Sequence, residues 1–209
     1  VIASLAESYN KLRIDASALA LNVNMLYDNN QHIINYLINH SEDNEQNDNA
    51  IKQKQDIEKR LFTDSRTSLG NITKYFYDIG RGIRNKVCVV AIKNRSLITA
   101  FMSEDDFEEH FTVCVNQISE FLGTNYYSCY FYSSKYLIIA AADEVIGDDF
   151  IAKIKEVQTL TMNQRYNTYV PVYEFAIVIN EDDMLSKAEM MLEKMNNSHE
   201  CIQIYSKNS

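Results

Sequence analysis

YYSCYFYSSKYLIIAA, residues 126–141, is the stretch that decides the fold of this 209-residue chain. Two runs of aromatic and aliphatic residues, 126–132 and 136–141, flank the short polar segment Ser-Ser-Lys. Such runs separated by a few turn-forming residues are typical of two antiparallel strands joined by a tight turn. The sequence therefore predicts a β-hairpin with its turn at residues 133–135.

Outward from the hairpin, helical and strand patterns alternate. We predict helices at 72–84, 105–122, 148–162 and 182–196, and further strands at 86–92, 173–179 and 201–205. Helices interleaved with strands, with one hairpin among them, indicate an α/β fold of the α+β sandwich type, with helices flanking a mixed central sheet. Only Pro171 and five glycines interrupt the chain, so we expect short loops.

Composition limits the classes of function. The 46% of hydrophobic residues is enough for one core. The 20 Lys and Arg against 29 Asp and Glu give a net charge of -9, which disfavours non-specific binding to phosphate backbones. RNA contact is left open, but the charge does not support it. No stretch approaches the roughly 18 consecutive apolar residues of a membrane span, so we expect no direct membrane contact within this chain.

The cysteines show no metal-binding or redox pattern. None forms the CxxC pairs of a zinc or redox site, and most lie in apolar runs. We expect them to be reduced thiols that pack as small apolar residues in a cytoplasmic protein. The residues concerned are Cys88, Cys114, Cys129 and Cys201.

An apolar stripe near the N-terminus repeats at alternating spacings of four and three, the a/d pattern of a coiled coil. Asn30 lies on this stripe, where a buried amide fixes register and strand number. We expect residues 1–40 to form a coiled-coil signalling helix that makes a homodimer, with packing of the stripe on the following domain as the alternative. The opening IASLAESYNKL, residues 2–12, resembles the final helix of a HAMP module. The predicted seam is Leu12, Leu19, Val23, Leu26, Asn30, Ile33 and Leu37.

Residues 41–60 are predicted to be a polar connector followed by a linker helix. The segment SEDNEQNDNA, 41–50, is almost wholly polar, so we expect a flexible connector or a turn between helices. Helical character resumes at Ile51, Ile57 and Leu61. The main domain would then span 61–209.

Segments at both ends of this main domain resemble the GGDEF family of diguanylate cyclases. FTDSRTSLGN, 62–71, is similar to the family's LTDxLTGLxN motif, in which the Asp and Asn secure a turn between two helices. EDDMLSKAEMMLEKM, 181–195, is similar to its closing helix, and the strand at 201–205 follows as expected. The resemblance covers nearly all of 61–207 and implies the nucleotidyl-cyclase-like fold.

The signature that gives this family its name is degenerate in this chain. Its place is taken by Tyr132-Ser133-Ser134-Lys135-Tyr136. In active cyclases two glycines let the backbone approach the nucleotide, and the carboxylates that follow hold magnesium. Lys135 puts a cation where a metal ligand is needed, and like charges repel.

A second departure lies at the end of the strand predicted at 86–92. The family's IDIDNF segment is replaced by IKNRSL, 92–97, with Lys93 and Arg95 in place of the aspartates. We therefore predict no catalytic residue, no metal site and no cofactor. Lys93, Arg95 and Lys135 could form a small anion pocket, although we favour solvated surface charges.

Two further segments bear on ligand and metal binding. The family's product-inhibition motif, RxxD, would fall near Gly123 and Tyr126, where neither residue type matches, so cyclic di-GMP binding in the usual mode is not expected. The acidic run of Glu104, Asp105 and Asp106 resembles a metal site, but a helix N-terminus explains it more simply.

A narrower resemblance concerns the TSLGN segment combined with the degenerate signature, which resembles the CsrD family. It implies a larger inner-membrane protein in which a degenerate EAL domain follows, and which promotes decay of small regulatory RNAs. The sequence thus predicts a non-enzymatic regulatory or scaffolding module of the cyclic di-GMP pathway. Its partners would be a second copy and either another protein or its own C-terminal EAL-like domain. The alternative is a sensor of GTP or cyclic di-GMP that regulates a linked EAL phosphodiesterase.

Overall fold

The computed structural model describes residues 44–80, 84–132, 135–165, 169–195 and 198–207, together with positions 28 and 32. The predicted coiled-coil seam, from Leu12 to Leu37, lies outside the described residues, so the homodimer stays a prediction. Ser133 and Ser134 of the degenerate signature lie outside them as well. Among the described helices none is both long and apolar enough to cross a membrane.

Helices and strands alternate along the described chain much as predicted. Every helix and strand predicted for the main domain is confirmed, with ends that differ by a few residues. The elements in order are α1 (Asn44–Phe62), β1 (Gly70–Asn71), α2 (Ile72–Gly80), β2 (Arg84–Ile92), α3 (Arg95–Thr99), α4 (Glu104–Leu122), β3 (Tyr127–Tyr132), β4 (Tyr136–Ala142), α5 (Gly147–Met162), β5 (Tyr173–Ile179), α6 (Met184–Met195) and β6 (Ile202–Ser206).

The strands form one six-stranded sheet in the order β1-β3-β4-β2-β5-β6. The central pairs β3-β4, β4-β2 and β2-β5 are antiparallel, whereas β1 and β6 join the two edges as parallel strands. The hairpin predicted at residues 126–141 is confirmed, and its last pair before the turn is Tyr132 with Tyr136. The mixed sheet flanked by helices confirms the predicted α/β sandwich.

One face of the sheet carries the main core. Because side chains alternate along a strand, Cys88, Val90 and Ile92 of β2 share this face with the matching residues of β4 and β5. They pack against α4 and α5, whose Phe111 and Phe150 are fully buried. Each such side chain contributes about 1.5–3 kcal/mol through burial. The expectation that Cys88 packs as an apolar residue is confirmed.

The other face is built from smaller side chains. Ala91, Ala140 and Ala176 are buried there, and α6 contacts β2 and β5. Alanine lets a helix approach the sheet closely, and the long, flexible side chains of Met191 and Met195 fill the remaining space. The closing helix predicted at 182–196 is therefore a core element.

The polar segment 41–50 differs from its prediction over residues 44–50. These residues belong to the continuous helix α1, and not to a flexible connector or turn. Glu45, Gln46 and Ala50 favour a helix, although the three Asn and one Asp of this segment do not. The segment can still extend an existing helix, because adding a residue costs far less than starting a new helix. Two short elements, β1 and α3, have no counterpart in the prediction because they are too short to show a period.

Contacts divide the described residues into two compact units. The first comprises the described residues up to Thr63 and those from Thr73 to the end of α2. Within it the rings of Phe62 and Tyr77 lie 5.1 Å apart, and the Lys74 ammonium lies over both. The second unit contains the sheet and α3 to α6. The domain boundaries proposed from the sequence, 1–40, 41–60 and 61–209, stay predictions.

A tight turn within the second unit precedes β1. The Asp64 carboxylate accepts hydrogen bonds from the backbone N–H groups of Arg66 and Thr67, both at 3.0 Å, and from the Thr67 hydroxyl at 3.1 Å. The backbone N–H of Asp64 also donates to the Leu69 carbonyl at 2.8 Å. The turn role expected for the Asp of TDSRTSLGN therefore has a direct physical basis.

Replacing Asp64 by Ala should lower the free energy of unfolding by about 1–3 kcal/mol, because three donors lose their acceptor. Urea titration followed by circular dichroism measures the change. Ser65→Ala, at the exposed neighbouring position, is the matched control and should leave stability unchanged. Equal stabilities of the two variants would contradict the assigned role of Asp64.

Candidate functional site

Sheet register brings together the two segments that the sequence singled out. Ala91 of β2 pairs with Tyr136 of β4 on one side and with Glu174 of β5 on the other. The chain leaves β2 after Ile92, so Lys93 begins the connection beside the hairpin. The end of β2 and Tyr136 therefore lie at the same end of the sheet.

Lys93 is held by three oxygen atoms of the second unit. Its Nζ lies 3.0 Å from Oε1 of Glu174 and donates to the backbone carbonyls of Met195, at 2.6 Å, and Ser198. The contact with Glu174 is an ion pair without good hydrogen-bond geometry, since Oε1 accepts no hydrogen bond from the described residues. Met195 ends α6, where the helix dipole favours a cation. Lys93 thus links β2, β5 and the C-terminus of α6.

The carboxylate that pairs with Lys93, that of Glu174, is deeply buried. Its side chain is only 2% exposed, in a strand whose other six residues are apolar and also buried. A carboxylate removed from water needs a cationic or hydrogen-bonding partner to remain ionised. Among the described residues Lys93 is its ion-pair partner.

Arg95 is fixed in a comparable way. Its guanidinium pairs with the carboxylate of Glu104, at the start of α4, and lies 4.9 Å from the ring centre of Phe107. The attraction between a guanidinium and an aromatic face supports the same orientation. Arg95 therefore packs on the first turn of α4.

These contacts differ from the interpretation of Lys93 and Arg95 as solvated surface charges. Their side chains are only 21% and 20% exposed, and each is paired with a carboxylate. The positive charges are therefore neutralised within the domain, which also removes the driving force for the anion pocket considered from the sequence. Lys135 is exposed and directly precedes β4.

Tyr132 and Tyr136 form the last pair of the hairpin before its turn. Their rings stack with centres 5.9 Å apart. Burial raises the pKa of the Tyr136 hydroxyl, and the negative charges of Glu189 and Glu193 add to that effect. The phenol therefore stays neutral and protonated at physiological pH.

Residues at the end of β2 do not fit a divalent metal. Magnesium takes oxygen ligands, mostly carboxylates, but this segment offers Lys93, Asn94 and Arg95. The Asn94 side chain is already used, since it donates to the Val170 carbonyl at 3.0 Å and accepts from the Val172 N–H at 2.8 Å. Within the part of the chain that the structure describes, no three His, Cys, Asp or Glu side chains are grouped to hold a metal.

The acidic run at 104–106 begins helix α4. The Ser103 side chain accepts a hydrogen bond from the backbone N–H of Asp106, and all three acidic residues lie in the first turn. The helix N-terminus predicted for this run is confirmed. Near the expected position of RxxD, Gly123 ends α4 with a φ of 69° and the Tyr126 side chain is exposed.

Glu174 and Asn94 were not identified as site residues from the sequence. A single carboxylate within YEFAIVI, 173–179, is the signal that could have drawn attention to Glu174, because a buried strand rarely contains an unpaired charge. Nothing in the sequence names Lys93 as its partner. Asn94 carries no such signal, because its side chain serves two backbone groups that lie far along the chain.

Replacing Lys93 by Met should lower the free energy of unfolding by about 3 kcal/mol, because Glu174 would remain buried without its cation. Lys93→Met combined with Glu174→Leu removes the buried charge as well and should recover most of the loss. Denaturant titrations of both single variants, the double variant and the parent chain give the coupling energy. A coupling near zero would contradict the ion pair.

Comparison with known proteins adds independent information. No protein-family model matches the sequence, and a search of curated proteins finds no match. Solved structures do match. The coiled coil and GGDEF domain of DgcB from Caulobacter crescentus, in complex with c-di-GMP, gives a TM-score of 0.61 at 9% identity, covering 77% of this chain and 93% of that one.

Two further matching structures contain a partner protein or an additional domain. Diguanylate cyclase SiaD from Pseudomonas aeruginosa, in complex with its activator SiaC, gives a TM-score of 0.58 at 10% identity and covers 99% of this chain and 84% of that one. The S helix-GGDEF-EAL portion of Vibrio cholerae LapD, bound to c-di-GMP, gives 0.59 at 13% identity and covers 75% of this chain and 39% of that one. At such identities the likeness concerns the fold, and this chain therefore contains a domain with the GGDEF fold.

Proposed function

We propose that this chain is a non-catalytic regulatory module with a GGDEF fold, which acts within a larger signalling protein through a dimer and contacts with protein partners. The observation that carries the proposal is the Lys93–Glu174 ion pair at the end of β2. The family resemblance implies a metal-binding carboxylate at this position, and the chain places an internally bound ammonium there.

Electrostatic magnitudes favour an inactive site. Glu174 neutralises the Lys93 ammonium only while the two stay paired, so that carboxylate is not available to a metal. Two like unit charges 4 Å apart near a protein surface repel by about 4 kcal/mol, and a divalent ion that drew Glu174 away would meet about twice that from the ammonium left unpaired. Lys93 cannot turn away without leaving Glu174 buried and unpaired, which itself costs several kcal/mol. Arg95, held by Glu104, adds a second cation at the same end of the sheet.

Neighbouring structures support a role in protein contacts. SiaD with its activator SiaC is a protein of this fold in complex with another protein, and LapD combines the fold with an EAL domain. We propose the corresponding partners for this chain: a second copy through the N-terminal seam, and a separate protein or its own C-terminal EAL-like domain. Following the CsrD resemblance, the larger protein would lie in the inner membrane and control decay of small regulatory RNAs. The acidic net charge of this chain does not support direct contact with RNA.

Incubation of the purified chain with GTP and magnesium tests the lack of activity. We expect no cyclic dinucleotide above the level of a protein-free reaction, while an active diguanylate cyclase run in parallel should form it. Chromatography with mass detection measures the product. Formation of cyclic di-GMP that stops when GTP is withheld would refute the proposal.

A nucleotide sensor is the second candidate, favoured by the c-di-GMP bound to the DgcB and LapD structures. Calorimetry with GTP and with cyclic di-GMP at millimolar magnesium distinguishes the two functions. We expect no binding tighter than about 10 µM, which corresponds to roughly -7 kcal/mol. Tighter binding of either nucleotide would contradict the scaffolding role and support the nucleotide sensor.

Replacing Leu19 and Leu26 together by Asp should dissociate the dimer, because both side chains lie on the predicted seam. Asn22→Asp with Asn24→Asp adds the same charge at positions off the seam and should leave the dimer intact. Sedimentation velocity measures the mass of each species. A dimer that survives the seam substitutions would contradict self-association through this helix.

A further inference from the structure

Four apolar side chains lie exposed on two adjoining segments near the end of β2. We call Leu97, Phe101, Val170 and Val172 the apolar patch. Leu97 and Phe101 are 57% and 66% exposed, and both valines are also exposed. The rings of Phe101 and Tyr169 stack with centres 5.4 Å apart, which joins the two segments. Large apolar side chains that are grouped and exposed are typical of an interaction surface.

A rigid base underlies the apolar patch. The Asn94 side chain forms hydrogen bonds with the backbone of both valines: it donates to the Val170 carbonyl and accepts from the Val172 N–H. The backbone N–H of Lys93 also donates to the Val172 carbonyl at 2.8 Å. A surface that is ordered before binding loses less conformational entropy when a partner attaches. The patch is therefore preorganised.

The charges in the segments around the apolar patch sum to a negative value. Residues 93–107 and 169–174 contain two cations and four carboxylates, a net charge of -2. Lys93 and Arg95 are both neutralised by ion pairs. Asp105 and Asp106 are exposed and form no ion pair with described residues. An exposed apolar surface close to exposed carboxylates that are not in ion pairs attracts basic groups and repels phosphates.

We propose that the apolar patch binds a basic amphipathic segment of a partner protein. Apolar side chains of that segment cover Leu97 and Phe101, while its Lys or Arg residues lie against Asp105 and Asp106. The inference rests on the proposed function, since it assigns the protein contact to a particular surface. The acidic charge is what selects a basic protein segment over RNA or an anionic membrane.

Selection of short random peptides displayed on phage against the purified full chain tests this inference. The same library is counter-selected on the Phe101→Ser variant, so that only peptides that need the patch are retained. Ile146→Ser is the matched control, because Ile146 is 67% exposed and lies near the opposite end of β2, in a cleft with Asn85 and Lys86. We expect retained peptides to combine apolar residues with Lys or Arg.

Synthetic copies of the retained peptides are then measured by fluorescence anisotropy. Phe101→Ser should weaken binding about tenfold or more, as expected for a central aromatic contact. Asp105→Asn with Asp106→Asn should weaken it by about threefold and reduce its salt dependence. Ile146→Ser should bind like the parent chain.

Several results would overturn the inference. These are the absence of peptides that depend on Phe101, the enrichment of acidic or uncharged peptides, and equal losses in the Ile146→Ser control. A smaller sedimenting mass for Phe101→Ser would mean that a second copy covers the patch, and competition by RNA would mean that a nucleic acid does.

GTP turnover is measured on the same preparations, which separates this inference from the proposed function. Formation of a cyclic dinucleotide would refute the proposed function, whereas the peptide results alone would refute only the docking surface.

Discussion

The ion pair between Lys93 and Glu174 is the constraint on which this end of the domain depends. Glu174 lies in the interior of a sheet whose β5 is buried throughout, where a carboxylate without a partner costs several kcal/mol. Lys93 meets that need and also binds the carbonyl of Met195 at the end of α6. One side chain therefore ties together two strands and a helix that are distant in sequence.

The same contact links stability to function. A cation held by a buried carboxylate and a helix C-terminus cannot easily make room for a divalent metal, which supports the proposal of a non-catalytic module. Arg95 extends this effect through Glu104. Lys93 and Arg95 are both neutralised by ion pairs within the domain. The nearby surface exposes the apolar side chains of Leu97 and Phe101, together with acidic groups. That chemistry suits protein recognition more than nucleotide binding.

Much of the fold could be predicted from local sequence. The strands of the hairpin and β5 were predicted correctly because dense aromatic and aliphatic runs leave few alternatives to a strand. Helix α4 was predicted correctly because an acidic first turn precedes a periodic apolar face. The prediction failed at residues 44–50, because a polar segment with low hydrophobicity can still continue a helix that the following residues start, through backbone hydrogen bonds alone.

By itself, the sequence determined the identity of the side chains at this end of the sheet: Lys93 and Arg95 after β2, and YSSKY in the hairpin. The tertiary structure alone decided what those side chains do. Lys93 and Glu174 meet because β2 and β5 pair in one register, and Asn94 reaches Val170 and Val172 because the chain returns beside it. Pairing between distant segments depends on the packing of the whole sheet, which no local pattern of residues encodes.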